Sequence, residues 1–368
     1  MISTIILAVL ILISALNDIN TVQDMECEDK IKYSFHETIS KIDKRMVISI
    51  AENSNYIKSS SKSFNGIFYT YNVDENCLIS LEEINISYII NDNSKQPLNM
   101  LTVILNPELK IKDVKEEPIL YNTNSYWGGY ELKANTQVTK PITETKVTFT
   151  IPTVSKPNSN QYGNDYACRV DITRQCLLSM WTGLSDADGY NLVEIMQGTI
   201  LGNVTCTSNN CITTYRGTLQ FFRANDNSSV AIYCTNSFNS GNSVRIWVYK
   251  AGNNATHTFY TIDIYNQTTR RACAIVYATQ KSYTYADFVG EIPAYINIDN
   301  RAILPKFTTT NIQGWIYYDN LYSSIYVSYM NGWYIKDYIQ VNGFRNVDIS
   351  NIKSDGTFTI KYITSKGT

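Results

Sequence analysis

The chain has 368 residues, enough for a sizeable core and two domains. Its 31 Lys and Arg stand against 33 Asp and Glu, a net charge of −2, and the lack of a basic stripe speaks against nucleic acid as a partner. Only 17% of residues are charged while 28 are Tyr, and Ile, Thr and Asn are abundant, a composition that suits a pleated, half-buried β surface.

The first element is the apolar run Ile5 to Ala15 in MISTIILAVLILISALND. It is shorter than the ~20 apolar residues a bilayer crossing requires. It closes on the small pair Ser14-Ala15, so residues 1–15 read as a secretory signal peptide, although no Lys or Arg precedes the run. An exported chain accommodates the eight cysteines as disulfides. Cys27 and Cys77 fall in the first third; Cys168, Cys176, Cys206, Cys211, Cys234 and Cys273 follow later. Both sets are even, which fits two separately bridged domains, and without a Cys-x-x-Cys pair zinc ribbons and thioredoxin chemistry are disfavoured. Sequons at Asn85, Asn203, Asn227, Asn254 and Asn266 are candidate glycosylation sites. The expected location is secreted, or an acidic endomembrane or vacuolar compartment, with no membrane span once the signal is removed.

Residues 18–117 form a first region with strand-like runs GIFYTYNV and LNMLTVIL, closed by the charged, Pro-terminated linker KIKDVKEEP. From residue 121 the texture changes to short strands: KVTFTIP, TLQFFRA, SVAIYC, VRIWVYK, TFYTIDIY, CAIVYA, GWIYYD and TFTIKYI. Turn residues separate them at the spacing of an antiparallel sandwich. The fold class is therefore all-β.

Several chemistries drop out. His36 and His257 are the only histidines, and no Gly-x-Ser-x-Gly elbow exists, so a Ser-His-Asp triad lacks support. There is no His-Glu-x-x-His and no Gly-rich phosphate loop; no metal or cofactor is expected. The DADG segment, Asp186 to Gly189, reads as a hairpin turn. Carboxylate chemistry remains. In YADFVGEIP, strand alternation puts Asp287, Val289 and Glu291 on one face, and in the segment ending MQGT it groups Val193, Ile195 and Gln197. A cleft floor and a solvated sheet face both fit that pattern.

From about Tyr121 onward the chain resembles the glutamic peptidases, the eqolisins. TNSYWGGYEL, with Trp127, is similar to the start of the mature enzymes. VTFTIPTV matches a family strand, and TLQFFRA occupies the place of Trp-Tyr-Glu-Trp-Tyr-Pro. SMWTGLSDADGYNLVEIMQGT resembles the segment whose Gln is catalytic, here Gln197. YADFVGEIP resembles Ala-Glu-Trp-Ile-Val-Glu-x-Pro, whose second Glu, here Glu291, is taken as catalytic. The departures are Asp287 for the first Glu, Gln220 for the Glu of the Trp-Tyr-Glu motif, and Ser185 for an acid. The resemblance implies a lectin-like sandwich of two antiparallel sheets over residues 121–368, with residues 18–117 a smaller amino-terminal region serving as a propeptide. It implies a monomeric secreted acid endopeptidase made as a zymogen and acting on proteins or peptides. Gln197 and Glu291 would activate water, with Trp181, Trp127, Asp287 and Gln220 binding substrate. The competing reading is an inactive lectin-like sandwich that binds glycans or proteins. A glycoside hydrolase needs carboxylates ~5–10 Å apart, whereas Asp287 and Glu291 lie ~13 Å apart along one strand.

Overall fold

A computed structural model describes residues 66–74, 79–83, 125–133, 141–157, 168, 176–188, 191–207, 210–223, 228–234, 236–253, 258–279, 281–293, 302–318, 321–325 and 334–368. The signal peptide, Cys27, Cys77, the linker, His36 and His257 lie outside the described residues. In chain order the strands are β1 (Gly66–Val73), β2 (Ile79–Glu83), β3 (Trp127–Lys133), β4 (Ile142–Thr150), β5 (Val154–Ser155), β6 (Cys176–Asp188), β7 (Asn191–Cys206), β8 (Cys211–Arg223), β9 (Ser228–Tyr233), β10 (Ser243–Asn253) and β11 (Thr258–Asn266). They continue as β12 (Arg271–Thr279), β13 (Tyr285–Glu291), β14 (Lys306–Phe307), β15 (Thr310–Tyr318), β16 (Leu321–Ser324), β17 (Tyr334–Asp337), β18 (Gln340–Val341), β19 (Phe344–Arg345), β20 (Val347–Ile349) and β21 (Thr357–Tyr362). Among the described residues there is no helix.

Two large antiparallel sheets make the sandwich that the strand texture predicts. A ten-stranded sheet runs β2-β1-β12-β11-β10-β4-β15-β21-β20, with β16 on β15; a seven-stranded sheet runs β17-β3-β13-β6-β7-β8-β9. The core lies between them. Ile246, Ile262 and Ile264 of the larger sheet press on β7 at Gly198, where an added Cβ would meet Ile246 Cγ2 at 2.4 Å. Phe288 of β13 fills the space left by Gly314 on β15, where a Cβ would come within 2.9 Å of its ring. Thr145 and Thr182 hydroxyls bond across the layers at 2.8 Å. With Gly198 and Phe288 turned inward, the two-residue period sends Gln197, Asp287 and Val289 to the outer face.

The central strands of the larger sheet are buried on both faces. In β10, Val244, Ile246 and Val248 face the core while Arg245, Trp247 and Tyr249 are buried on the other side, which is why VRIWVYK reads as an unbroken run. The outer β15 alternates between buried and exposed positions.

Within the amino-terminal region the described strands β1 and β2 belong to this sheet. β1 pairs with β12 from Gly66↔Tyr277 to Asn72↔Arg271. Buried Tyr71 reaches the far side of its neighbours, donating to the Asp263 carboxylate at 2.7 and 2.8 Å. The expected division near residue 117 is therefore crossed by a strand. Three disulfides, Cys168–Cys176, Cys206–Cys211 and Cys234–Cys273, use the later six cysteines. The last links the end of β9 in one sheet to β12 in the other. Asn266 is a poor sugar acceptor: it is fully buried, and its amide bonds Ser237 O and Asn242 Oδ1.

Candidate active site

The register of the seven-stranded sheet sets the site out in rows. Glu131 of β3 stands opposite Asp287 of β13, which stands opposite Gly183 of β6, then Gln197 of β7, then Gln220 of β8. A second row holds Gly129, Val289, Trp181, Thr199 and Thr218, and a third holds Trp127, Glu291, Ser179 and Leu201. Neighbouring rows of this face are two residues apart, so all these side chains share the outer surface.

All of the principal groups are buried. Gln197 and Glu291 are each 2% exposed, Asp287 3% and Trp181 5%, so the face is not the solvated one that the alternation alone permits. Trp181, Ile195 and Val289 pack into an apolar patch with half-buried Trp127 against it. The Trp181 indole donates to Glu291 Oε2 at 2.9 Å. The Gln197 amide is held by its nitrogen, which donates to Gln220 Oε1 at 2.5 Å and to Thr199 Oγ1 at 3.2 Å.

In the first row Gln197 Oε1 and Asp287 Oδ2 are buried and have no hydrogen-bond partner. Buried polar atoms are nearly always paired, so each is open to a ligand. They lie two strands apart, ~9–10 Å between backbones, and Gly183 between them has no side chain to fill the gap. A Cβ at Gly183 would meet Met196 O at 2.5 Å and Gln197 Cβ at 3.0 Å. Gly183→Val is accordingly expected to destabilise the fold by ~1–3 kcal/mol and to displace Gln197. Thermal unfolding checks the first effect and peptide hydrolysis the second.

Glu291 lies four residues along β13 from the Asp287 row, on a strand next-but-one to that of Gln197 and on the same face, and its Oε2 accepts from the Trp181 indole.

Burial pushes the Asp287 carboxyl from 3.8 up to about 7, against opposing hydrogen bonds with Ser185 and Glu131. Asp337, on β17 opposite Gly129, is raised by burial to about 6 while accepting from Ser125 Oγ and Tyr338 N. For Asp287 the folded value lies above the unfolded one. Its stabilising effect is thus complete below about pH 4 and is lost as pH rises through about 7. Asp287→Asn removes that loss, so its Tm should exceed wild type at pH 8 and match it at pH 4. Equal Tm differences at both pH values would contradict this.

Sequence reasoning missed Glu131, Thr199, Gly183 and Asp337. Glu131 was visible in principle, since alternation in YWGGYEL puts Trp127, Gly129 and Glu131 on one face. Among the described residues no three His, Cys, Asp or Glu side chains form a metal-binding group, and no helix is long and apolar enough to cross a membrane.

The model of the Peptidase A4 family matches residues 125–362, a span that contains every residue of these rows. The chain belongs to the Peptidase A4 family. Among solved structures, SCP-B, a member of the eqolisin family of peptidases in complex with the tripeptide Ala-Ile-His, is 17% identical with a TM-score of 0.43. That match covers 65% of this chain and 98% of that one. Aspergilloglutamic peptidase from Aspergillus niger is 14% identical with a TM-score of 0.38, covering 51% and 99%. No curated protein sequence matches. Within this A4 chain Trp181, Trp127 and Gln220 lie beside the proposed reacting groups, and Ser185 flanks Asp287.

Proposed function

We propose that this Peptidase A4 chain hydrolyses peptide bonds with Gln197 and Glu291 as the pair that activates water. The observation that carries the reading is that both are buried on one face of the seven-stranded sheet, two strands apart, with Glu291 Oε2 held by the Trp181 indole. Glu291 takes a proton as general base as the water attacks the scissile carbonyl, then returns it to the leaving nitrogen. The Gln197 nitrogen keeps its short bond to Gln220 and swings its longer bond from Thr199 to the developing oxyanion. Thr199 loses little, since it also donates to Gln220 Oε1 at 3.3 Å.

The Trp181 indole donates to Glu291 Oε2 and so orients the base, and it walls the water site together with Val289 and Trp127. The route to the enzyme's surroundings is the amino-terminal apolar run and the three disulfides, which support secretion as a monomer acting on protein or peptide substrates. Glu291 must be ionised to activate water while the leaving nitrogen takes up a proton, and the reading is of hydrolysis in acid. Chelators and serine-directed inhibitors should leave it intact.

One observation favours binding without cleavage. Asp287 is one methylene shorter than the Glu at the matching place of the family motif, so its carboxylate reaches less far toward Gln197. An acid-pH cleavage assay with a peptide library separates the two readings. Cleavage lost in both Gln197→Ala and Glu291→Gln supports the peptidase. Capture of peptides with no cleavage by wild type supports the binding module.

A further inference from the structure

We propose that Gln220 is a positioning residue for this reaction: its side-chain carbonyl pins the nitrogen end of the Gln197 amide, and Thr199 holds the second N–H of that amide until the oxyanion forms. The inference rests on the peptidase reading above and deepens it by naming what aims the Gln197 amide.

The contact is built into the sheet. Gln197 and Gln220 are direct cross-strand partners, and Thr199 lies two residues along β7 on the same face. Gln197 and Thr199 are each 2% exposed, and Gln220 is half-buried. Three hydrogen bonds close a triangle. Gln197 Nε2 donates to Gln220 Oε1 at 2.5 Å and to Thr199 Oγ1 at 3.2 Å, and Thr199 Oγ1 donates to Gln220 Oε1 at 3.3 Å. One carbonyl oxygen thus accepts from both residues of β7.

The two ends of an amide differ little in shape, one being a donor and the other an acceptor. Packing alone therefore does not choose which end Gln197 turns toward β8; its hydrogen-bond partners do. With Gln220 Oε1 facing it, a Gln197 turned end for end would bring two acceptors to bond distance with no proton between them. In the arrangement seen, both N–H groups are used and Gln197 Oε1 is turned away from Gln220, without a protein partner. The two N–H bonds are unequal. The shorter one anchors the nitrogen on Gln220. The longer one, to Thr199, is the one a developing oxyanion displaces, and the Thr199 hydroxyl then keeps Gln220 as its own acceptor. A donor held in place before charge develops costs no reorganisation when it does. Position 220 must accordingly supply an acceptor.

The test uses the full chain and measures kcat and KM on one peptide substrate at about pH 6, above the ordinary Glu range, with Tm alongside. Gln220→Leu offers neither donor nor acceptor, and kcat should fall at least about tenfold with KM within about threefold. Gln220→Lys offers donors only, draws the carbonyl end of Gln197 toward β8, and should fall as far. Gln220→Glu, ionised, offers acceptors only and should restore kcat at least about tenfold over the Leu and Lys variants. Position 220 is half-buried, so the Glu and Lys chains both keep access to water, and their comparison stands even if Leu at 220 disturbs the sheet. The side-chain NH2 of Gln197, followed by 15N NMR without substrate, should exchange slowly in wild type and quickly in Gln220→Leu. Equal losses in the Glu and Lys variants, or an unchanged kcat in Gln220→Leu, overturn the proposal. Slow exchange that is lost in Gln220→Leu, in a wild type that hydrolyses nothing, upholds the clamp and overturns the peptidase reading instead.

Discussion

Glu291→Gln is expected to lower kcat for peptide hydrolysis on the order of 10³-fold or more, while Asp287→Asn keeps activity within about tenfold of wild type. Glutamine is isosteric with Glu291 and still offers an oxygen to the Trp181 indole, so the fold should survive while the base is lost. Asparagine is isosteric with Asp287, and unfolding of that variant above pH 7 should even occur at higher temperature. Gln197→Ala removes the oxyanion donor, and a loss of ~3–4 kcal/mol in barrier, 10²–10³-fold in kcat, is expected. Steady-state kinetics on one peptide substrate measures all three. The reverse ranking, with Asp287→Asn inactive and Glu291→Gln active, would move the base to Asp287.

The parts legible in the sequence are those that depend on one strand at a time. Alternation in YADFVGEIP correctly groups Asp287, Val289 and Glu291, and the Gln197 strand is correctly placed with Ile195 beside it. The sandwich class follows from the strand and turn texture. What a single strand cannot tell is which residue stands opposite. Register depends on turn geometry and on irregularities such as the shift between Asp186 and Ala187. Gly183 carries no side-chain signal at all, yet it keeps the gap open. Glu131 lies more than 150 positions before Asp287, and only the β3–β13 ladder joins them. The same limit explains β1. GIFYTYNV reads plainly as a strand, but its tie to Asp263 spans 192 positions, so the region looked removable.

Removal of residues 1–117 is expected to leave a sandwich that unfolds well below the full chain, or that fails to fold at 25 °C. The deletion strips β1 from β12 and exposes the backbone edge of Arg271–Tyr277, an open template for association. It also takes away Tyr71, which is 2% exposed and stacks on Tyr265 with ring centroids 6.3 Å apart. Burial and the adjacent Asp263 charge hold the Tyr71 phenol well above its ordinary range, so it stays a donor. Asp263 is fully buried and pairs with Arg245 at 2.7 Å. Arg245 lies 5.1 Å from both the Trp247 and Tyr265 ring centroids. Such a buried pair stabilises only while its remaining oxygens and hydrogens are satisfied. Point variants in the full chain separate the contributions. Tyr71→Phe keeps the ring and should cost ~1–3 kcal/mol for the unsatisfied carboxylate. Tyr71→Ala should cost ~3–5 kcal/mol, a fall in Tm of about 10 °C. Arg245→Ala leaves Asp263 as a buried, uncompensated charge and should cost a similar ~3–5 kcal/mol. A chain starting at residue 118 with the Tm of the full protein would show that β1 is dispensable. A full chain nicked in the linker that keeps its Tm and activity, while the isolated later part loses both, would show a segment that stays with the enzyme after cleavage.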